Sequence, residues 1–314
     1  MNILAGSGLV VLALLLSTAF PLFTYTTTLA IFGLAHVAVE MRYVESRFAE
    51  RLLGPLLTGV AALLVLVVGV RIIHLTGWVN SSSLILVELS SVGLISASVL
   101  FRWGRQSGLA GTVSAVVAGA VAVGTFVSPV STMLLLACLH NWTPVGFIAE
   151  ATRGRERLRW MTLSVVVLVG LPLLIASGLV HVVLDPWTAV DFTLLSTEPL
   201  QQHLGAFLPA ALHPYDWAPR LFSAVVFAQC MHYLAVLGIL PRYADHSTRR
   251  WLTAIPRPVY GAGIALGTLG LLVLYTHDFD NGRRLYGIAA SIHAWIELPV
   301  LMLALRPPME EQAA

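Results

Sequence analysis

Charge is scarce in this sequence. Only 11% of its 314 residues are charged, whereas 57% are hydrophobic and the mean hydropathy is +0.83. Soluble domains carry roughly one quarter charged residues, so this composition excludes an ordinary water-soluble fold. Long apolar runs separated by short polar breaks instead predict a polytopic membrane protein, in which each helical span needs about 20 residues.

Lysine is absent, so every one of the eighteen positive side chains is an arginine. Without a lysine the chain cannot form a retinal Schiff base, which excludes a rhodopsin-type photoreceptor. The only two cysteines, Cys138 and Cys230, fall within apolar runs, where the role of a small buried residue is favoured. The net charge of +2 comes from loops that would meet lipid headgroups, and it does not indicate a nucleic-acid partner.

The apolar runs predict an all-α bundle of about ten transmembrane helices. The expected spans are residues 3–20, 22–41, 54–75, 82–101, 109–127, 129–150, 160–181, 219–241, 258–276 and 285–305. We expect residues 1–306 to form a single transmembrane domain and residues 307–314 to form a short cytoplasmic tail. The first run lacks the basic start and the cleavage site of a secretory signal, so we expect it to be a retained helix.

The arginines give the predicted bundle an orientation. Cytoplasmic loops of membrane proteins are enriched in basic residues, and with the N-terminus inside, fourteen of the eighteen arginines fall on the cytoplasmic side. The other four lie on or near the opposite side, and they are Arg71, Arg220, Arg283 and Arg284. Both termini are therefore predicted to be cytoplasmic, and the bacterial inner membrane is the expected location.

One connection, residues 182–218, is long. The segment 196–199 (Ser-Thr-Glu-Pro) has the early proline and acidic first turn that are typical of a helix start. The apolar stripe that would follow, ending at about Ala211, consists of Leu200, Leu204, Phe207 and Leu208. Two interpretations are open: an interfacial helix on the outer leaflet that covers a lateral entrance, or a surface helix without a gating role.

Four histidines lie inside the predicted spans, each on a different helix: His36, His140, His232 and His293. An imidazole in hydrocarbon is costly without a partner, so ionisable residues within the membrane are candidates for function. All four fall on even-numbered spans, and helical geometry places them in the cytoplasmic half near the middle of the bundle. We therefore expect them to hold one metal ion or a haem. For any single histidine, a hydrogen bond to a neighbouring helix is the alternative.

Carboxylates accompany the histidines. Glu40 and Glu297 each follow a histidine by four residues, which places each pair on one helical face, and Glu88 lies inside the fourth span. A metal-bound histidine usually donates its second ring N–H to a carboxylate or a carbonyl. We expect Glu40 to be a metal ligand, and Glu88 and Glu297 to be catalytic acceptors or additional ligands. An interfacial ion pair with Arg42 is the alternative for Glu40.

Two amides fall close to the histidines in the sequence. Asn141 follows His140 directly, and Gln229 precedes His232 by three residues. A buried amide needs hydrogen-bond partners, so these two side chains are expected to bridge helices or to contact the bound cofactor.

The residues around the first histidine carry a family resemblance. The segment Gly33-Leu34-Ala35-His36-Val37-Ala38-Val39-Glu40 resembles the G-L-P-H-G-A-x-D segment of the retinal-forming carotene dioxygenases of bacteria and archaea, the bacteriorhodopsin-related-protein type. That family consists of multi-span membrane proteins thought to hold non-haem iron through histidines. The resemblance implies that His36 is a metal ligand, that Glu40 takes the acidic position and that the substrate is lipid-soluble.

Three functions are carried forward. The preferred one is a membrane-embedded non-haem iron oxygenase, ligated by histidines, whose isoprenoid, carotenoid or acyl substrate arrives through the bilayer. The second is a b-type haem protein in which two of the histidines are axial ligands. The third is a proton- or cation-coupled transporter, in which buried histidines and glutamates relay protons or bind a cation.

Overall fold

The computed structural model describes residues 3–51, 55–103, 109–245, 247 and 249–304, and these contain helices but no strands. The helices are α1 (Ile3–Ala19), α2 (Pro21–Phe48), α3 (Pro55–Leu75), α4 (Ser81–Trp103), α5 (Leu109–Val127), α6 (Pro129–His140), α7 (Thr143–Ala151), α8 (Gly154–Val165), α9 (Leu171–Ala176), α10 (Leu179–Leu184), α11 (Leu200–His203), α12 (Ala218–Gly238), α13 (Arg257–His277) and α14 (Phe279–Ala304). The all-α expectation is confirmed for these residues. The tail expected at residues 307–314 lies outside them.

The bundle is that of an integral membrane protein. Seven helical segments of the described chain are long and apolar enough to cross a bilayer, namely α2, α3, α4, the α8–α9 run, α12, α13 and α14. An eighth would result if the bent pair α6 and α7 is one span. Helices α1 and α5 occur where spans were predicted, but their apolar stretches are shorter. The predicted count of ten therefore stays a prediction.

Prolines explain the breaks within two of the predicted spans. The expected continuous span 129–150 is divided after His140 into α6 and α7, which are bent by 41°. Pro144 lies in the first turn of α7, where its missing N–H costs nothing, and its ring would clash with a preceding helical turn. The π-helical turn at Val166–Gly170 similarly precedes Pro172 in α9.

Three helices form the centre of the bundle. In their most apolar stretches, 50% of α2, 61% of α12 and 50% of α14 is buried, whereas the value for α13 is 6%. Helix α2 packs against both α12 and α14. Polar side chains on these three helices are therefore removed from lipid, which is where a membrane protein can hold ionisable groups.

The ends of α2 and α7 and the segment after α12 meet at one end of the bundle. Arg47 and Arg51 donate to Glu150 over 2.8 and 3.0 Å. Glu45 accepts the backbone N–H groups of residues 251–253 over 3.0, 3.1 and 2.6 Å. The arginine-rich loops described by the structure thus share one end, as the predicted alternation of spans requires.

The long connection differs from the expected helix. Its helix α11 is one turn long and is followed by short 3-10 turns at Leu204–Ala206 and Ala210–Leu212. The expected apolar stripe is buried within the protein, because Leu200, Leu204 and Leu208 pack against Tyr25 and Phe222. The segment covers the ends of α2 and α12, and a helix continuing to Ala211 on the outer leaflet was the wrong expectation.

His203, at the end of α11, is buried beside the bundle. Its Nε2 lies 3.0 Å from the Ser196 hydroxyl, and its ring packs edge-on against Tyr25 and Phe279. Burial, followed by the nearby Arg283 guanidinium, lowers the pKa of His203. A neutral ring in this place helps to fix the connection on the bundle.

Candidate metal centre

The four histidines predicted from separate spans lie together. His36 comes from α2, His140 from the end of α6, His232 from α12 and His293 from α14. One ring nitrogen from each lies within 4.8 Å of the corresponding nitrogen of every other ring. His36, His232 and His293 are no more than 2% exposed, and the His140 side chain is 16% exposed. The helices thus form a compact, buried group of imidazoles that could hold a metal ion.

The spacing of the ring nitrogens suits shared coordination. The Nε2 atom of His293 lies 3.2 Å from that of His36 and 3.1 Å from that of His140. Two nitrogen ligands about 2.1 Å from one metal ion, at tetrahedral or octahedral angles, are separated by about 3.0 to 3.4 Å. A metal ion could therefore be held between these nitrogens with little movement of the rings.

Hydrogen bonds set the ring orientation of two of the histidines. His36 Nδ1 donates to the carbonyl of Phe32 over 3.1 Å, and His140 Nδ1 donates to Glu297 Oε2 over 2.6 Å. Because Nδ1 carries the proton in each case, Nε2 is left with a lone pair that points into the cluster. This is the partner arrangement that usually supports histidine ligands of metals.

Two glutamates extend the group. Glu40, His293 and Glu297 form a second set whose ligand atoms lie within 4.8 Å of one another, and the two carboxylates are 0% and 1% exposed. Glu40 Oε2 also lies 3.7 Å from His232 Nε2. The alternative of a Glu40–Arg42 ion pair is wrong, because the Arg42 guanidinium instead donates to the carbonyl of Ile255.

Several buried polar atoms of this group have no hydrogen-bond partner among the described residues. They include both carboxylate oxygens of Glu40, both ring nitrogens of His232 and Oε1 of Glu297. A buried polar atom without a partner is costly, and a buried carboxylate especially so. A cation bound by these atoms would satisfy them, so the donor set fits a metal with nitrogen and oxygen ligands.

Glu88 does not join the cluster. It is fully buried on α4 and pairs with Arg71 of α3, with Oε2 lying 2.8 Å from the guanidinium Nη2. The two glutamates that approach the histidines are Glu40 and Glu297, so the expectation that Glu88 acts beside the metal does not agree with this geometry. The charge of Glu88 is balanced by Arg71, which lies in the last turns of α3.

A cavity of about 540 Å³ borders the histidines. Rings from all four histidines line it, together with Glu297 and with apolar side chains that include Leu29, Val117, Met133, Leu136 and Leu298. The amides predicted near the site also line it: Asn141 donates to the carbonyl of Cys138 over 3.1 Å, and Gln229 Nε2 has no hydrogen-bond partner among the described residues. The cavity is therefore mostly apolar, with a polar wall.

Two tyrosines of this site were not predicted from the sequence. The ring of Tyr233 lies 4.5 Å from that of His36, and Tyr286 lines the cavity near α2. A Cβ atom on Gly33 would lie 3.1 Å from the Tyr286 ring, so the glycine permits this close approach. Tyr233 adjoins His232 in the sequence and could have been noticed, whereas nothing in the sequence points to Tyr286.

The chain was compared with known proteins. Neither protein-family models, nor curated proteins, nor solved structures give a match to it.

Proposed function

We propose that this chain is a membrane-embedded, histidine-ligated non-haem iron oxygenase that acts on a lipophilic isoprenoid, carotenoid or acyl substrate. One observation carries the proposal: four imidazoles from four helices meet in the wall of a mostly apolar cavity. The combination joins a site for a redox metal to a space for an apolar molecule. Such pockets, apolar with a few convergent polar groups, are typical of small-molecule sites.

The donor set supports iron. Imidazole suits iron, zinc, copper and nickel, and the addition of carboxylate oxygens is characteristic of non-haem iron sites that keep open positions for substrates. His36, His140, His232 and His293 would hold the metal, with Glu40 as a further ligand. When bound, iron would activate molecular oxygen, which otherwise reacts slowly with an apolar hydrocarbon.

The reaction class follows from the resemblance around His36 and from the chemistry of an apolar cavity. Cleavage of a carbon–carbon double bond by molecular oxygen gives two carbonyl products, each of which receives one oxygen atom. The step balances without an added reductant. The apolar cavity walls would hold the hydrocarbon beside the histidines and exclude water from it.

The protein residues supply orientation and charge. Glu297 holds the His140 ring by its Nδ1–H, which directs Nε2 inward, and the Phe32 carbonyl does the same for His36. Glu40 supplies negative charge next to His232, which would offset the charge of a bound cation. Gln229 and Asn141 offer amide groups along the cavity wall that can contact a polar group of a substrate.

The packing of the rings disfavours the haem alternative. Centroids of His36 and His293 lie 4.9 Å apart, and those of His140 and His232 lie 4.5 Å apart. A haem with two axial histidines needs a flat macrocycle between the two rings, but here the imidazoles contact one another around a common point. The geometry favours a single metal ion over a porphyrin.

Metal analysis of the purified protein tests the proposal. We expect about one iron per chain in the wild type, and loss of most of it in His140→Ala and in His232→Ala. His277→Ala is the matched control, because His277 is exposed at the end of α13, away from the cluster. The iron-loaded wild type should consume oxygen when a polyene lipid is supplied in micelles, and His277→Ala should retain this activity.

Three results would contradict the proposal. Unchanged metal content in both cluster variants would remove the site, and a Soret band in the optical spectrum of the pure protein would favour haem. Cation or proton flux in proteoliposomes that persists without any metal would favour the transporter hypothesis.

A further inference from the structure

A second cavity, of about 780 Å³, lies at the arginine-rich end of the bundle. Its walls come from α2, from α13 and from the segment between Pro241 and Arg257. Helix α2 contributes Val39, Arg42, Tyr43 and Ser46, and helix α13 contributes Arg257, Tyr260, Gly261 and Ile264. Each set recurs at i, i+3, i+4 and i+7, so each helix presents one continuous face to the cavity.

One arginine is held in place inside this cavity. The Arg42 guanidinium donates to the carbonyl of Ile255 over 3.0 Å and lies 4.8 Å from the centroid of the Tyr260 ring. Tyr260 is itself fixed, because its hydroxyl donates to the carbonyl of Ala38 over 2.7 Å. A guanidinium has five N–H donors, so an arginine oriented by these contacts keeps donors for an anionic ligand.

The wall opposite α2 is also fixed. Three successive backbone N–H groups, from Trp251 to Thr253, donate to the carboxylate of Glu45. This carboxylate anchors the segment over α2, so the cavity does not depend on a loosely attached loop. The anchored segment places Arg249 and Thr253 in the lining of the cavity and leaves Trp251 79% exposed.

The polar part of the cavity favours an anion. Three guanidinium groups line it, from Arg42, Arg249 and Arg257, against the single carboxylate of Asp245. Tyr43 also borders the cavity, but this residue is 1% exposed and its ring packs against Phe147 of α7. Guanidinium groups therefore outnumber carboxylates in the lining, which favours a ligand with anionic oxygens.

The remaining lining is apolar. Val39, Gly261 and Ile264 continue the cavity along α2 and α13 toward the membrane interior, away from the arginine-rich end. A free inorganic anion would use only the polar part, whereas an amphiphile would use both. Trp251, in the anchored segment, is exposed, as are the aromatic residues that lie at the level of lipid headgroups.

We infer that this cavity binds the phosphate headgroup of an anionic phospholipid, with the start of an acyl chain against Val39 and Ile264. Basic pockets between transmembrane helices on the cytoplasmic side bind such headgroups. The arginine-rich loops predict that this end of the bundle is cytoplasmic. Arg42 contacts the phosphate, while Arg249 and Arg257 supply further positive charge. The site is separate from the histidine cluster and does not depend on the proposed oxygenase activity.

Native mass spectrometry of the full chain in neutral detergent tests this site. The probes are dioleoylphosphatidylglycerol, which is anionic, and the zwitterionic control dioleoylphosphatidylcholine, which has no net charge. We expect one phosphatidylglycerol to bind preferentially to the wild type. Binding should weaken about thirty-fold, equivalent to about 2 kcal/mol, in the double variant Arg249→Gln/Arg257→Gln, which replaces two exposed residues.

The control variant is Arg155→Gln/Arg159→Gln, which removes two exposed arginines of α8 that do not line the cavity. It should bind phosphatidylglycerol as the wild type does. Arg42→Gln should weaken binding as well, and an unchanged thermal unfolding midpoint in detergent will report that this variant is folded. Equal binding of the two lipids to the wild type would overturn the inference, as would equal losses in the two double variants. Displacement of the lipid by millimolar inorganic phosphate would instead indicate a site for a free anion.

Discussion

The hydrogen bond between His140 and Glu297 orients one of the four imidazoles of the cluster. The imidazole is the most exposed of the four, whereas the carboxylate is 1% exposed. Their 2.6 Å contact is short, and it lies where the carboxylate is removed from water. Glu297 therefore decides both the tautomer and the direction of the ring.

Replacing Glu297 by glutamine tests this role. Glutamine has nearly the same shape but no negative charge, so it should hold the His140 N–H weakly and reduce the basicity of Nε2. Loss of such a partner typically lowers metal affinity about 10- to 100-fold. We expect a decrease in this range for Glu297→Gln, measured by competition with a chelator.

Glu198→Gln is the matched control, because Glu198 is exposed in the connection between α10 and α12. It should leave metal affinity unchanged. Wild-type affinity in Glu297→Gln would mean that the carboxylate does not support a metal-binding histidine.

A few polar contacts join pairs of helices within the bundle. One of them is the ion pair between Arg71 on α3 and the buried Glu88 on α4. Glu88 is fully buried, whereas the Arg71 side chain is 24% exposed and borders the histidine cavity. The two partners are therefore not equivalent. The carboxylate depends on the guanidinium, but the guanidinium also reaches polar surroundings.

This asymmetry predicts unequal losses of stability. Arg71→Met leaves a buried, unpaired carboxylate and should lower the free energy of unfolding by about 3–5 kcal/mol. Glu88→Leu should cost less, and the double variant Arg71→Met/Glu88→Leu should recover most of the loss. Denaturant unfolding in mild detergent measures all three variants.

The exposed pair formed by Arg250 and Glu50, 3.9 Å apart, provides the comparison. Arg250→Gln should change stability by no more than about 1 kcal/mol. Equal effects of Arg71→Met and Arg250→Gln would show that the Arg71–Glu88 pair is not a buried interaction.

The contact between α2 and α14 depends on a small residue. Gly33 lies one turn before His36, and a Cβ there would lie 3.1 Å from the ring of Tyr286. We expect Gly33→Val to displace Tyr286 and to lower the free energy of unfolding by about 1–3 kcal/mol. Gly263→Val on α13 is the control, because nothing lies within 4 Å of its Cβ position. A similar loss in both variants would show that the close approach of Tyr286 to Gly33 does not cause the effect.

The orientation of the whole molecule in the membrane can be tested from its two ends. Ser247 belongs to the arginine-rich end, and Ser82 lies at the opposite end where α4 begins. Because basic loops are retained inside, we expect Ser82→Cys to react with a membrane-impermeant maleimide in intact cells. Ser247→Cys should react only after lysis. The background for both is Cys138→Ala/Cys230→Ala.

The reverse labelling pattern would invert the predicted orientation. Labelling of both cysteines from the same side would show that an even number of spans separates residues 82 and 247. The sequence predicts five spans there, so this result would refute the ten-span arrangement.

The sequence predicted helices well but not their interruptions. Apolar length placed helices at all ten expected segments that the structure describes, because a span must be long and apolar wherever it lies. It missed the division of α6 from α7 beside His140, although Pro144 was visible. It also extended the helix of the connection to Ala211, since an apolar stripe cannot reveal whether it faces lipid or protein.

The site was predicted in part. The four histidines, Glu40 and Glu297 were chosen because ionisable residues within apolar runs are costly, and these six side chains lie together in the structure. Glu88 met the same criterion, but it is buried for a different reason. Arg71, seventeen residues earlier, balances its charge. Tyr286 and the second cavity could not be predicted, because they depend on which helices are neighbours.

Composition and apolar run length by themselves determined that this protein is a helical membrane protein with ionisable groups inside it. Those properties depend on each segment separately, through the cost of placing backbone and charge in hydrocarbon. Only the tertiary structure decided that α2, α6, α12 and α14 direct their histidines to one point, and that α2 and α13 enclose an arginine-lined cavity. Lateral packing of helices depends on the shapes of facing side chains far apart in the chain, so it cannot be read from any one of them.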